Sequence, residues 1–262
     1  MIPSRFEYHA PESIEAAVAL LSELGDDAKI LSGGQSLIPM MKLRLAVPAH
    51  IVDINRVPGL ASLREADGAL HIGDPLVRNL ATICGNLAHG DPANDHPAVM
   101  LALDAVVVAA GPGGRREIRI RDFFTGLYAT ALAPNEILVE IKIPTPPPRS
   151  GGAYVKLERK VGDFATVAVA AQVTLASDGT CQRAGIGLTN VGPTPINAVK
   201  AEGYLQGKSL NDAAMKEAAR AAAEEARPPA DNRGSVEYKR DLVRVLTARA
   251  LRKAADRAAE RR

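Results

Sequence analysis

The residues that decide the fold are Arg78-Asn79-Leu80-Ala81-Thr82-Ile83-Cys84-Gly85-Asn86-Leu87-Ala88-His89-Gly90-Asp91-Pro92-Ala93-Asn94-Asp95. This stretch follows neither a helical nor a strand period, so it is predicted to be a loop held by structure on both sides. Gly85 lets the backbone approach a ligand, and the Asn and Asp residues can direct N–H or carboxylate groups toward it. A second stretch of similar character is Ser32-Gly33-Gly34-Gln35-Ser36, which follows an apolar strand. Two such loops in one domain predict a clamp on an extended, phosphate-bearing molecule.

Composition narrows the class of protein. A chain of 262 residues suits one large domain or two small ones. Its formal charge of +2 argues against a nucleic-acid-binding protein. No apolar run approaches the ~20 residues of a membrane span, and the first residues lack the pattern of a signal peptide, so we expect a cytoplasmic protein without a transmembrane segment.

The two cysteines, Cys84 and Cys181, lie far apart in the sequence and are predicted to be free thiols in a reducing compartment. Two cysteines cannot hold an iron–sulfur cluster alone, because such a cluster takes four ligands. Any electron relay through such a cluster would therefore need a partner chain.

The clearest linker is residues 144–152, Pro-Thr-Pro-Pro-Pro-Arg-Ser-Gly-Gly, and we place a domain boundary there. Before it, short strands and helices alternate. After it, antiparallel strands precede three helices, predicted at residues 196–205, 211–227 and 235–261. Strands followed by helices are typical of an α+β unit.

Several chemical interpretations find little support. The loops match neither the dinucleotide fingerprint Gly-x-Gly-x-x-Gly nor the phosphate loop that ends in Gly-Lys-Ser/Thr. No Gly-x-Ser-x-Gly elbow points to a nucleophilic serine. Four residues could be considered as metal ligands: His89, Asp91, Asp95 and His96. Their spacing fits no regular helical or strand face, and no Cys-x-x-Cys accompanies them, so loop capping is the favoured interpretation.

Taken together, a set of motifs resembles one known family. The motifs are Phe6-x-Tyr8-x-x-Pro11, Ser32-Gly33-Gly34-Gln35-Ser36-Leu37, Met41-Lys42-Leu43-Arg44, His50-Ile51-Val52-Asp53-Ile54, Arg78-Asn79, Thr82-Ile83, Gly85-Asn86, Asp91-Pro92-Ala93 with Asp95, Arg159-Lys160-x-Gly162-Asp163-Phe164-Ala165 and Val191-Gly192-Pro193-Thr194-Pro195. They resemble the medium, FAD-binding subunit of molybdenum hydroxylases of the aerobic carbon monoxide dehydrogenase type, which is related to the flavin domain of xanthine dehydrogenase. The resemblance covers nearly the whole chain.

The resemblance implies an α+β protein in two parts. Residues 1–145 would form a two-subdomain FAD-binding domain of the vanillyl-alcohol-oxidase type, shortened after residue 73. Residues 150–262 would form a smaller domain with an antiparallel sheet and helices, of the carbon monoxide dehydrogenase flavoprotein type. It also implies a set of FAD-binding residues: Ile30, Leu31, Ser32, Gly33, Gly34, Gln35, Ser36, Leu37, Ile72, Thr82, Ile83, Cys84, Gly85, Asn86, Asp95, Leu138, Lys156 and Phe164.

The function implied by the resemblance is that of an oxidoreductase subunit, a flavoprotein that transfers electrons within a heteromeric complex. A small partner subunit would carry [2Fe–2S] clusters and pass electrons to FAD, which would hand them to an external acceptor. A large partner subunit would carry the molybdenum cofactor and oxidise the substrate, so no residue of this chain is assigned as catalytic. We expect two copies of each subunit in the complex.

Two departures from the family pattern bear on FAD. Asp67-Gly68, between residues 62–66 and 69–73, predicts a two-residue hairpin turn. From Gly73 the chain runs straight into residues 74–78, Asp-Pro-Leu-Val-Arg, without the strand and helices that members usually have there. Cys84 stands where the family has Gly; a left-handed backbone at this position would cost roughly 1–2 kcal/mol with a Cβ present. These departures keep open a structural subunit of the same fold that has lost FAD. A stand-alone flavin oxidoreductase of the same fold is a further alternative.

Overall fold

The computed structural model describes residues 2–77 and 81–260. In chain order the described elements are β1 (Glu7–His9), α1 (Ile14–Leu24), β2 (Ala28–Leu31), α2 (Leu37–Lys42), β3 (His50–Asp53), β4 (Leu63–Ala66), β5 (Ala69–Ile72), β6 (Leu76–Val77), β7 (Ala81–Thr82), α3 (Ile83–Ala88), α4 (Asp95–Leu103), β8 (Val106–Gly111), β9 (Gly114–Arg119), α5 (Ile120–Phe123), β10 (Phe124–Gly126), β11 (Ala129–Thr130), β12 (Ile137–Pro144), β13 (Ser150–Glu158), β14 (Ala165–Leu175), β15 (Cys181–Thr189), β16 (Ile196–Asn197), α6 (Val199–Leu205), α7 (Asp212–Glu225) and α8 (Val236–Glu260).

The chain divides into two compact units that alternate along the sequence. The first comprises residues up to His89 together with Val106–Phe123 and Ala129–Ile143, and the second comprises Gly90–Ala105, Phe124–Tyr128 and the residues from Pro144 onward. Both units mix helices and sheets, which confirms the predicted α+β class. The domain bounds of 1–145 and 150–262 stay a prediction.

The first unit contains a three-stranded parallel sheet in the order β1-β3-β2 and a five-stranded sheet in the order β4-β5-β12-β8-β9. Helix α1 begins after Ser13, whose hydroxyl accepts the Ala16 N–H at 3.1 Å, and ends at Gly25. Its apolar face packs with residues of both sheets into one core: Ile14, Ala17, Val18, Leu21, Val52, Val108, Ile137 and Val139. The core thereby fixes the ends of β2 and β12, where the candidate site lies.

The second unit is a four-stranded antiparallel sheet, β13-β14-β15-β16, with helices on both faces. Helices α6, α7 and α8 share a core with β14 and β15. On the other face, α4 lies so close to β15 that a Cβ on Gly187 would be 2.0 Å from the Ala98 carbonyl oxygen. Glycine is therefore required at this point of the sheet, and the close packing fixes the start of α4 at Asp95.

Two secondary-structure predictions were wrong. The stretch from Arg78 to Asp95 is not one loop, since it contains β7, α3 and the start of α4; Arg78, Asn79 and Leu80 lie outside the described residues. A six-residue helix such as α3 is too short to show a helical period, and Thr82 rather than periodicity signals its start. Residues 196–197 form β16, and α6 begins only at Val199.

No helix in the described part of the chain combines the length and the apolar character needed to cross a lipid bilayer.

Candidate functional site

The first Gly-bearing turn connects β2 to α2. Gly34 has φ +70°, a left-handed conformation that disfavours any residue with a Cβ, and a Cβ there would also be 2.7 Å from Ile38 Cδ1. The Ile38 N–H donates to the Gly34 carbonyl oxygen at 3.1 Å, which starts α2 directly after the turn. Glycine at position 34 is therefore needed for this tight connection from strand to helix.

The second Gly-bearing turn is the start of α3. Thr82 caps the helix, and its hydroxyl oxygen accepts the Gly85 N–H at 3.3 Å. A Cβ on Gly85 would lie 2.6 Å from that same oxygen, so a larger residue would displace the cap. Glycine at this position keeps the cap in place.

The structure removes one expected obstacle at Cys84. The residue lies inside α3 with a right-handed backbone, so the condition for a left-handed penalty on its Cβ is not met. Its side chain is buried, and its Sγ donates to the Gly73 carbonyl oxygen at 3.1 Å. Burial, and secondly the nearby Asp74 carboxylate, raise the pKa of the Cys84 thiol well above its usual value. Cys84 is therefore a neutral, unreactive thiol in the folded chain.

The two turns meet through their hydroxyl groups and one carboxylate. Ser32 Oγ lies 2.9 Å from Thr82 Oγ1 and donates to Asp74 Oδ2 at 2.5 Å. Asp74 Oδ1 accepts the Cys84 N–H at 2.9 Å, and Asp74 is only 8% exposed. Asp74 thus links the first turn to the second, a role that the sequence analysis missed. The available signal was its position, directly after the hairpin and before Pro75.

Both turns line one cavity of ≈ 350 Å³ in the first unit, within the usual size range of ligand pockets. The predicted FAD residues that line it are Ile30, Ser32, Gly33, Gly34, Gln35, Ser36, Leu37, Thr82, Cys84, Gly85, Asn86 and Leu138. The predicted residues Leu31, Ile72 and Ile83 lie in β2, β5 and α3, and among the described residues they are not part of the cavity wall. Lys29, Asp74 and Glu136 line the cavity and were not predicted.

Glu136 is held at the cavity wall by a two-point ion pair. Arg116 Nε donates to Glu136 Oε1 at 2.6 Å, and Arg116 Nη2 donates to Oε2 at 2.7 Å. This hydrogen bonding from Arg116 lowers the pKa of Glu136 below its usual value. The Ala133 N–H also donates to Oε2, at 2.8 Å, so the pair fixes the segment that leads into β12.

The chemistry of the cavity fits an anionic diphosphate group. A strand-to-helix turn and a helix start bring backbone N–H groups to the cavity wall without a large basic cluster. The hydroxyls of Ser32 and Thr82 are engaged with Asp74 and with each other. The Asp74 carboxylate disfavours an anion in the cavity, because it is itself negatively charged and already accepts one N–H and one hydroxyl of the two turns.

Three further predicted residues, Asp95, Lys156 and Phe164, belong to the second unit. Lys156 Nζ donates to Asp95 Oδ2 at 2.9 Å, and the Tyr154 hydroxyl donates to Asp95 Oδ1 at 2.7 Å. Burial, and secondly the hydrogen bond to Asp95, raise the pKa of Tyr154 far above its usual value. Asp95 and Lys156 therefore form one polar cluster, whereas Phe164 is 48% exposed.

The first unit of this α+β chain brings two Gly-bearing turns to one cavity, an arrangement typical of nucleotide-binding proteins. Family comparison refines this class. The FAD-binding domain of molybdopterin dehydrogenases matches residues 4–74 and 69–146, and the carbon monoxide dehydrogenase flavoprotein C-terminal domain matches residues 152–254.

Individual relatives match over nearly their whole length. The carbon monoxide dehydrogenase medium chain of Hydrogenophaga pseudoflava is 44% identical over 280 residues, which cover 96% of this chain and 97% of the relative. The 6-hydroxypseudooxynicotine dehydrogenase complex subunit alpha of Paenarthrobacter nicotinovorans is 36% identical, with 98% and 97% covered. The chain therefore belongs to the carbon monoxide dehydrogenase flavoprotein family, whose members carry the FAD-binding domain of molybdopterin dehydrogenases.

Solved structures agree with this assignment. A structure of carbon monoxide dehydrogenase from Hydrogenophaga pseudoflava matches with a TM-score of 0.94 and 44% identity, over 98% of this chain and 99% of that one. Quinoline 2-oxidoreductase from Pseudomonas putida 86 matches with a TM-score of 0.91 and 30% identity, over 98% and 99%. The 280-residue alignment with the Hydrogenophaga relative is longer than this 262-residue chain, so that relative has residues without a counterpart here.

Proposed function

We propose that this chain is the FAD-binding electron-transfer subunit of a molybdenum hydroxylase complex. It would take electrons from [2Fe–2S] clusters of a partner subunit and pass them to an external acceptor. The observation that carries the proposal is the single cavity lined by both Gly-bearing turns, in a chain that belongs to an FAD-binding family. When bound, FAD supplies the electron chemistry, and the chain binds and orients it.

The residues proposed to hold the diphosphate group are those of the two turns, residues 32–36 and 82–86. The shared position of the two turns at the cavity wall supports this role for their backbone N–H groups. Ile30, Leu37 and Leu138 supply apolar wall nearby. A role in FAD binding for Leu31, Ile72, Ile83, Asp95, Lys156 and Phe164 remains proposed on the family resemblance alone.

The proposed FAD-binding domain comprises residues 1–145, shortened after residue 73, and the second domain comprises residues 150–262. Support for the position of the shortening comes from the FAD-binding family match, whose two segments overlap at residues 69–74. Asp74 lies at this junction and contacts both turns. We propose that its contacts replace part of the support that the longer relatives obtain from the additional residues.

The proposed partners are a large subunit with the molybdenum cofactor and a small subunit with [2Fe–2S] clusters, two copies of each, in the cytoplasm. The names of two relatives support a heteromeric complex, since one is a medium chain and the other a complex subunit. The two cysteines of this chain are buried free thiols. They are too few for a cluster, so the clusters would belong to a partner.

Purification of the tagged chain from its native source tests the proposal. We expect FAD, molybdenum and iron to co-purify with the chain in a constant ratio across gel filtration. A chain that elutes alone without flavin would contradict the proposal and favour a structural role. A chain that elutes alone with FAD and turns over a substrate would favour a stand-alone flavin oxidoreductase.

A further inference from the structure

Three side chains with metal-binding atoms converge at the start of the parallel sheet in the first unit. Glu7 and His9 are two residues apart on β1, so their side chains lie on the same face of the sheet. In the parallel pairing of β1 with β3, Glu7 is opposite His50. Strand pairing thus brings together residues that are about forty positions apart in the sequence.

The separations of the ligand atoms suit a tetrahedral cation. His9 Nε2 lies 3.2 Å from His50 Nδ1, and His50 Nδ1 lies 3.4 Å from Glu7 Oε2. Ligand atoms of all three residues lie within 4.8 Å of one another. Two ligands at about 2.0 Å from a tetrahedral Zn²⁺ are separated by about 3.3 Å, which is close to the His9–His50 and His50–Glu7 distances.

The protonation chemistry of the cluster also favours a cation. A neutral imidazole has one N–H and one lone pair, and an ionised carboxylate only accepts hydrogen bonds. A proton on His50 Nδ1 can point to His9 Nε2 or to the Glu7 carboxylate, but not fully to both. A cation placed among the three atoms would interact with a lone pair of each.

The backbone holds the three residues in register. The Glu7 N–H donates to the Ala49 carbonyl oxygen at 2.8 Å, and on the opposite face the Tyr8 hydroxyl donates to Asp53 Oδ2 at 2.5 Å. The side chain of Glu7 is 74% exposed and that of His50 21% exposed, so a cation can enter from solvent. Water would complete its coordination, as in zinc sites with three protein ligands.

We propose that Glu7, His9 and His50 form a binding site for a borderline divalent cation of the Zn²⁺ class, which ties β1 to β3. Two imidazoles and one carboxylate are ligands that suit Zn²⁺ better than Mg²⁺ or Ca²⁺. The site is independent of FAD, because its residues are not among those that line the cavity. The sequence analysis did not single it out, since the three residues form no motif until the strands pair.

Calorimetric titration of the untagged, EDTA-treated chain with ZnCl₂ tests the site. We expect one site per chain, a rise in melting temperature on Zn²⁺ addition, and at least roughly tenfold weaker binding in His9→Gln, His50→Gln and Glu7→Gln. Glu65→Gln is the matched control, because Glu65 is an exposed carboxylate in β4 of the same unit.

Thermal melting in EDTA, followed by circular dichroism, must show that the variants fold. Absence of saturable Zn²⁺ binding would overturn the proposal, as would equal binding in wild type and the two histidine variants. Weaker binding in Glu65→Gln comparable to that in Glu7→Gln would also overturn it, because the effect would then be one of net charge.

Discussion

The substitution Asp74→Asn removes the negative charge of the Asp74 side chain and keeps its size and shape. The carboxylate accepts the Cys84 N–H at 2.9 Å and the Ser32 hydroxyl at 2.5 Å. Hydrogen bonds to charged groups contribute about 1.5–3 kcal/mol each, and neutral ones about 0.5–1.5 kcal/mol. Asn offers one acceptor, for the Cys84 N–H, and its Nδ2 can only donate, to the Ser32 hydroxyl oxygen. Because both bonds then lack a charged partner, we expect the free energy of unfolding to fall by about 2 kcal/mol.

The same substitution is expected to tighten FAD binding. A cavity of ≈ 350 Å³ taken as a sphere is about 9 Å across, so a charge inside it lies within about 9 Å of Asp74. At an effective dielectric constant of about 20, two like unit charges about 9 Å apart repel by about 1.8 kcal/mol. For a dianionic diphosphate the repulsion doubles, and salt screening removes roughly half of it, so about 1.8 kcal/mol remains and loss of the Asp74 charge should lower the Kd about twentyfold.

Two assays separate the effects of Asp74→Asn. Urea unfolding measures stability, and titration with FAD followed by flavin fluorescence measures affinity. Asp67→Asn is the matched control, because Asp67 is an exposed turn residue with φ +51°, a conformation that Asn tolerates. An unchanged or weaker FAD affinity in Asp74→Asn, with the control at wild-type affinity, would refute the reasoning that the carboxylate opposes the diphosphate.

Three further predictions concern the same unit and the thiols. Gly34→Ala should lower stability by roughly 1–2 kcal/mol in urea unfolding and weaken FAD binding, whereas Gly113→Ala, at an open hairpin position, should change neither. Cys84 and Cys181 are both buried, and burial raises the pKa of Cys181 to about 11, so Ellman's reagent at pH 8 should modify neither thiol until the chain is unfolded in urea. Rapid modification of the folded chain would contradict the described burial. Glu136→Gln should lower stability by about 1 kcal/mol at pH 7. Because the folded-state pKa of Glu136 lies below the unfolded value of about 4.3, this loss should be fully present above pH ~4.3 and disappear as the pH falls through the folded-state pKa. A pH-independent loss would show that the ion pair is not its cause.

Much of the fold followed from local sequence signals. The apolar face of α1, its Ser13 cap and its end at Gly25 are all readable in the sequence, and so is the hairpin turn at Asp67. The two Gly-bearing turns were recognised from their residue types, and the structure places them at one cavity. These features depend on residues that are close together in the chain.

The features that the sequence analysis missed depend on long-range contacts. Asp74 acquires its role because the pairing of β6 with β7 brings Cys84 to its carboxylate and tertiary packing brings Ser32 to the same group. The backbone of Cys84 is right-handed and carries no left-handed strain, because the residue lies inside a short helix that Thr82 caps. Neither the pairing nor so short a helix has a periodic signature in the sequence.

The central claim is that the two turns bind the diphosphate of FAD, and comparison of FAD with riboflavin tests it most directly. Riboflavin has the same ring system but lacks the diphosphate and the adenosine. Two or more charge-assisted hydrogen bonds at about 1.5 kcal/mol each predict that the isolated chain binds FAD at least roughly a hundredfold more tightly than riboflavin in parallel fluorescence titrations. Equal affinity for the two flavins, or no saturable binding of FAD, would contradict the account.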